Sequence, residues 1–264
     1  MSSVLEPLKR KERRGSKPRC HLLTHGSPDA IAARMTALVA PFASVASTDR
    51  WMPQGFADLE EAQLHKAPRL LPPALSARLG EWWLPADRQE AMTPNFDIAS
   101  TCTIDGSAGL LLVEAKAHET ELKKEAAGRR VAEDDSKERK ESHGTIGAAI
   151  ESARTGLEAA TRLKWQISRD SHYQMSNRFA WSWKLTMLGI PVVLVYLGFL
   201  KATDMSKPGE VPFADAGAWE SLVRSHSALL FSGQVWDRRW SVNGVSFIPL
   251  IRSLDVPLDE MAPA

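Results

Sequence analysis

At 264 residues the chain is long enough to bury a substantial core, and its formal net charge of +1 points to no strongly charged partner for the molecule as a whole. Two cysteines, Cys20 and Cys102, are too few for a disulfide scaffold and favour a reducing cytoplasm. Lys9, Arg10, Lys11, Arg13 and Arg14 stand where a secretory leader would carry its apolar core, so the expectation is a protein that is not exported.

Residues 1–19 are basic and poor in apolar side chains, and they read as a disordered tail that either solubilises the chain or touches phosphate. Residues 20–93 read as helical elements packing on a core. Ser27-Pro28-Asp29 is a helix start, and Ile31, Met35, Leu38 and Val39 follow it at helical spacing over 27–40. A short helix is expected over 57–65, where Glu60 and Glu61 are either solvated or an additional acidic group for a site, and another over 73–83. Cys20, His21 and His25 resemble a metal cluster only superficially, since no second ligand pair at zinc-like spacing accompanies them.

The runs 96–104 and 109–117 are rich in β-branched and apolar residues and flank Asp105-Gly106-Ser107, the pattern of a β-hairpin. Asp97 opens the first strand. Glu114 and Lys116 lie two apart in the second and therefore share a face. Buried carboxylates beside an ammonium are costly to desolvate unless a metal or substrate compensates, which marks this hairpin as a candidate active site.

The charged stretch 119–142 reads as a solvated helix or a loop, with Lys123, Lys124, Arg129 and Arg130 placed where a bound nucleic acid would pass. Ile146, Ala149, Ile150, Ala153, Leu157, Ala160 and Leu163 mark a helix over 144–163. In a further helix over 171–188, Gln174, Asn177, Arg178 and Trp181 share one face, and Phe179, Trp183 and Met187 another. Residues 191–200 then form a continuous apolar strand, buried on both sides. The span 179–200 matches a bilayer core of ~30 Å in length, but Lys184 and Gly189-Ile190-Pro191 break it, so no membrane is expected. Beyond residue 201 come a loop at 203–209, an amphipathic helix over 214–230 with His226 at the edge of a core, a polar turn at 234–239 and a final strand over 242–251.

Pro94-Asn95-Phe96-Asp97 followed by Glu114-Ala115-Lys116, then helices and an apolar strand, resembles the PD-(D/E)xK nuclease superfamily over residues 94–200. The resemblance implies an α/β fold with a restriction-endonuclease-like core, a central mixed β-sheet flanked by helices. Residues 119–142 would be a charged insertion in that core, and 20–93 and 201–264 would be added elements. It implies a metal-dependent endonuclease hydrolysing phosphodiester bonds in DNA. Asp97 and Glu114 would ligate Mg²⁺, with Mn²⁺ as a substitute and the carbonyl of Ala115 as an extra oxygen, because hard divalent ions favour carboxylate and carbonyl donors. Lys116 would orient or help deprotonate the attacking water, and Gln174, Asn177 or Arg178 would support the site or touch phosphate. Many enzymes of this chemistry pair as homodimers to cut two strands, although no self-complementary surface is legible here. The chain departs from the pattern in placing Asn95 and Phe96 between the proline and Asp97, and in the insertion. Three other readings compete: a non-catalytic nucleic-acid-binding or assembly module of the same fold, a membrane-associated or partner-binding protein built around 179–200, and a cross-strand ion pair of Glu114 and Lys116 at a solvated sheet edge.

Overall fold

Six strands form one open mixed sheet in the order β1 (Trp51–Met52), β2 (Ile98–Ile104), β3 (Ser107–Lys116), β4 (Val192–Leu200), β6 (Val245–Asp255) and β5 (Trp240–Val242). The computed structural model describes residues 4–91, 93–205 and 211–258. β2 and β3 are the antiparallel hairpin, in register from Ile98↔Val113 to Ile104↔Ser107. Its turn places Asp105 at φ 52° and Gly106 at φ 76°, the two left-handed positions of a tight hairpin whose twist matches the strands. β3 and β4 then pair in parallel, as do β4 and β6. A parallel pair needs a crossover, and the chain between β3 and β4 supplies it with α4 (Glu119–Glu125), α5 (Lys137–Thr161) and α6 (Tyr173–Met187).

The strand period of two sorts the side chains into two cores. Leu111, Val113, Ala115, Val193, Val195, Leu197 and Phe199 point to one face, where α1 (Ser16–Leu23) and α2 (Pro28–Val39) cover them. Leu110, Leu112, Val192, Leu194 and Tyr196 point to the other, beneath α5, α6, α3 (Pro73–Trp83) and α7 (Ala216–Ser227). The result is a three-layer helix–sheet–helix arrangement, and β4, covered on both faces, needs the continuous apolar run that the sequence carries.

Several expectations change. The segment 1–19 packs against the body where it is described: Leu8 is buried, a 3₁₀ turn spans Arg10–Glu12, and α1 begins at Ser16. Arg19 is buried by meeting Asp204 at 2.5 Å and the carbonyls of Gly15 and Val256 at 2.8 and 3.0 Å, a compensation that composition cannot reveal. Residues 57–65 hold no α-helix, because Ala62 is extended and pairs with Phe96 through two backbone hydrogen bonds of 3.3 and 3.0 Å. The final strand is a hairpin whose first arm, β5, is closed by Asn243-Gly244 at φ 52° and 77°. The loop expected at 203–209 lies outside the described residues from 206 onward. Among the described residues no helix is long and apolar enough to cross a membrane. The apolar span 179–200 is divided between α6 and β4 by Gly189 at φ 86°.

Candidate active site

Glu114 and Lys116 project from the C-terminal end of β3 toward α6, on the same face as Leu110 and Leu112, as the strand period requires. β3 is an interior strand, and the two side chains are 1% and 5% exposed as whole residues, so they do not form an ion pair at a solvated edge. Glu114 is the hub. Its Oε1 accepts from Lys116 Nζ and from Gln174 Nε2 at 2.6 Å, and its Oε2 accepts from Arg178 Nε at 2.5 Å. Gln174 and Arg178 lie four apart on α6, so one helical face carries both to the same carboxylate. Asn177 acts on Arg178, accepting from its Nη1 at 2.6 Å, and the Phe96 ring lies 4.9 Å beneath the guanidinium. Trp181 does not join this polar face, being fully buried against Trp82 and Trp83.

Asp97 precedes β2 where the hairpin ladder ends. Its backbone amide donates to the Val113 carbonyl at 3.0 Å, and its Oδ2 accepts from the Ala115 amide at 2.7 Å. Ala115 therefore meets Asp97 through its backbone, while its methyl is buried in the opposite core. No other described donor reaches the Asp97 carboxylate, and the residue as a whole is half-buried. Burial, and then the negative charge of Glu114, push this carboxyl up to about 8 against the pull of Lys116 and the Ala115 amide. Glu61 adds to the same field and is held by Asn95 Nδ2 at 3.1 Å and Lys17 at 3.2 Å; Glu60 is exposed.

A residue that sequence reading passed over completes the cluster. Glu125, at the end of α4, is 2% exposed and meets Lys116 Nζ at 2.8 Å through Oε1. Its Oε2 lies 3.6 Å from His226 on α7, whose ring packs edge-on against His172 at 4.7 Å. His226 thus belongs to the polar cluster behind Lys116. Burial works to lower the Lys116 pKa, but Glu114, Glu125 and Asp97 outweigh it and hold the ammonium above its ordinary range. The only sequence signal for Glu125 was its place within reach of the ExK strand.

Among the described residues no group of three or more His, Cys, Asp and Glu side chains is arranged to hold a metal. His21 is committed instead to the Gly55 carbonyl at 2.9 Å. Mg²⁺ commonly takes one or two carboxylates and completes its shell with water and phosphate, and Asp97 and Glu114 are the residues here that would supply those carboxylates. Asp97 offers an oxygen without a donor, in a field that a cation would relieve. Glu114 would share its charge between that ion and its present donors, Lys116, Gln174 and Arg178.

No family model, curated protein or solved structure matches this chain. The site's chemistry and the order of its elements are therefore the grounds for a functional reading.

Proposed function

We propose that the protein is a metal-dependent nuclease of the PD-(D/E)xK kind, an endonuclease hydrolysing phosphodiester bonds in DNA. The observation that carries this reading is the placing of the Asp97 carboxylate on the Ala115 amide, between the paired Glu114 and Lys116 at one end of a mixed sheet, with Gln174 and Arg178 descending from the crossover helix onto Glu114. The order of hairpin, crossover helices and parallel strand agrees with a restriction-endonuclease-like core. The free thiols of Cys20 and Cys102 suit a cytoplasmic setting.

Asp97 and Glu114 would hold Mg²⁺ or Mn²⁺, with the Ala115 carbonyl as a further oxygen. When bound, the ion supplies charge neutralisation at the phosphate and acidifies water. Water oxygen would attack phosphorus and give up a proton to solvent, the bond from phosphorus to the leaving sugar oxygen would break, and that oxygen would take a proton from solvent to leave as an alcohol. Lys116, paired with Glu114 and Glu125, would orient or help deprotonate the attacking water and offset charge growing on the phosphate. Gln174 and Arg178 fix Glu114, and Asn177 fixes Arg178.

The decisive variant is Asp97→Asn, which can still accept the Ala115 amide through its side-chain oxygen. Wild-type protein should cleave DNA in Mg²⁺ or Mn²⁺ and lose that activity in chelator. Asp97→Asn should retain the far-ultraviolet dichroism of the wild type and cleave at least ~100-fold more slowly, as expected when charge stabilisation of the transition state is removed. Equal cleavage by the variant would refute the assignment. One observation favours the non-catalytic module instead: Lys116 and Arg178 already neutralise Glu114. Calorimetry separates the two readings, since a nuclease requires Mn²⁺ binding that disappears in Asp97→Asn.

A further inference from the structure

We infer that two adjoining, arginine-lined clefts beside the carboxylate site seat the phosphodiester backbone of one nucleic-acid strand. The first cleft, of about 340 Å³, lies over α6 and is lined in part by Arg129, Tyr173, Gln174, Asn177 and Arg178. The second, of about 390 Å³, runs between the end of α3 and the start of α5 and presents Arg88, Arg129 and Arg139. Arg129 and Ile146 line both, so the two adjoin. Together they carry four guanidinium groups and, among the described lining residues, no carboxylate.

The state of these arginines distinguishes the clefts from an ordinary solvated surface. Arg88 and Arg129 are half-buried and form no ion pair with a described carboxylate. Arg88 reaches only the Ser142 hydroxyl at 3.4 Å, although the Glu138 carboxyl on the same side of α5 feels its charge. Arg129 faces His143 at 3.3 Å, and its backbone is pinned by donating to the Arg169 carbonyl at 2.7 Å. Burial, then Arg169 and Arg129, lower the His143 pKa, and an imidazole in either protonation state gives Arg129 no counter-charge. Arg139 is exposed and pairs with Asp135 at 2.6 Å, a contact that an incoming phosphate can replace at little cost. Unpaired guanidinium groups in a polar cleft are matched by phosphate, which they bind in a planar fork. The first cleft also ends at the carboxylate cluster, because its Gln174 and Arg178 are the residues that grip Glu114. A strand lying along both clefts therefore delivers a phosphate to that site. The inference rests on the nuclease reading only for that last step.

Binding of labelled single-stranded and duplex DNA oligonucleotides to the full chain, measured by fluorescence anisotropy in chelator over a range of salt, tests it. Replacing Arg88 and Arg129 together by alanine should weaken binding at least ~10-fold at low salt. The dependence of log affinity on log salt should become shallower by about 1.4 for single strands or about 1.8 for duplex, two phosphate contacts' worth. Two further variants guard against misfolding of the alanine pair: Arg88→Lys with Arg129→Lys should keep the wild-type salt slope, and the exposed Arg139→Glu should weaken binding alone. Unchanged affinity and slope with both probes, or no binding by the wild type, overturns the proposal. Loss of cleavage in Asp97→Asn with binding indifferent to the arginines sinks the clefts and leaves the nuclease. Arginine-dependent binding without any cleavage does the reverse.

Discussion

Asp97 and Glu125 are both acids beside Lys116, yet their surroundings push them in opposite directions. Asp97 binds its proton more tightly when folded, with a pKa near 8 against an ordinary 3.8. The folded state consequently keeps the proton through a range where the unfolded chain has lost it, so this group's contribution to stability is full below pH ~4 and falls as pH rises toward 8. Without divalent ions, Asp97→Asn should flatten the melting temperature between pH 4 and 8 and raise it at pH 8. A profile parallel to the wild type would show that Asp97 is not under this strain. Glu125 has a lowered pKa: burial opposes its charge, but Lys116 and His226 more than offset it. Glu125→Gln removes one of the ammonium's buried partners while keeping the shape. It should cost about 1–3 kcal/mol in urea unfolding and slow cleavage by changing where Lys116 points. If neither changes, Glu125 is a spectator. The shared face of Glu114 and Lys116 was legible because strand alternation assigns faces locally. Glu125 was not, because its stretch is charged throughout and only packing between β3 and α7 buries one of those charges.

At the scale of elements, punctuation decided what could be read. Asp105-Gly106 announced the hairpin, Ser27-Pro28 the start of α2, and the apolar run after Pro191 the strand β4. Ser27 caps α2 by accepting the Ala30 amide at 3.4 Å, the local contact its position suggests. α5 starts well before the apolar stripe does, at Lys137, because Ser136 caps it by accepting the Arg139 amide at 3.3 Å and its first turns need no core face. The 57–65 segment has helical composition but spends its backbone on Phe96, a long-range choice that propensity does not register. Close approach is equally invisible: a Cβ on Gly198 of β4 would stand 2.5 Å from the Trp219 ring of α7. Gly198→Ala should destabilise by about 1–3 kcal/mol in a denaturant titration, because neither a central strand nor a buried indole can yield. Equal stability would mean that α7 is less firmly seated on the sheet than its buried Trp219 and Val223 imply.

For the molecule as a whole, the three layers explain where the polar cluster sits. Residues facing α1 and α2 are apolar almost to the end of β3, while the other face exchanges Leu112 for Glu114 and Lys116. α1 closes the apolar face under the site. Burial, and then the field of Asp97, Glu61, Glu114 and Glu121, push the buried Cys20 thiol well above its usual range, keeping it a neutral packing group. The sequence by itself determined the α/β class, the hairpin, the both-sides-buried β4 and the shared face of Glu114 and Lys116. Each follows from a period or a turn signal that acts within a few residues. Only the tertiary structure decided that Asp97 shares a charge field with Glu114, that Gln174 and Arg178 close on one carboxylate, that Glu125 is buried, and that Arg88 and Arg129 stand without an ion pair in adjoining clefts. Those outcomes depend on distances between segments tens of residues apart, and on which charges the packed layers remove from water.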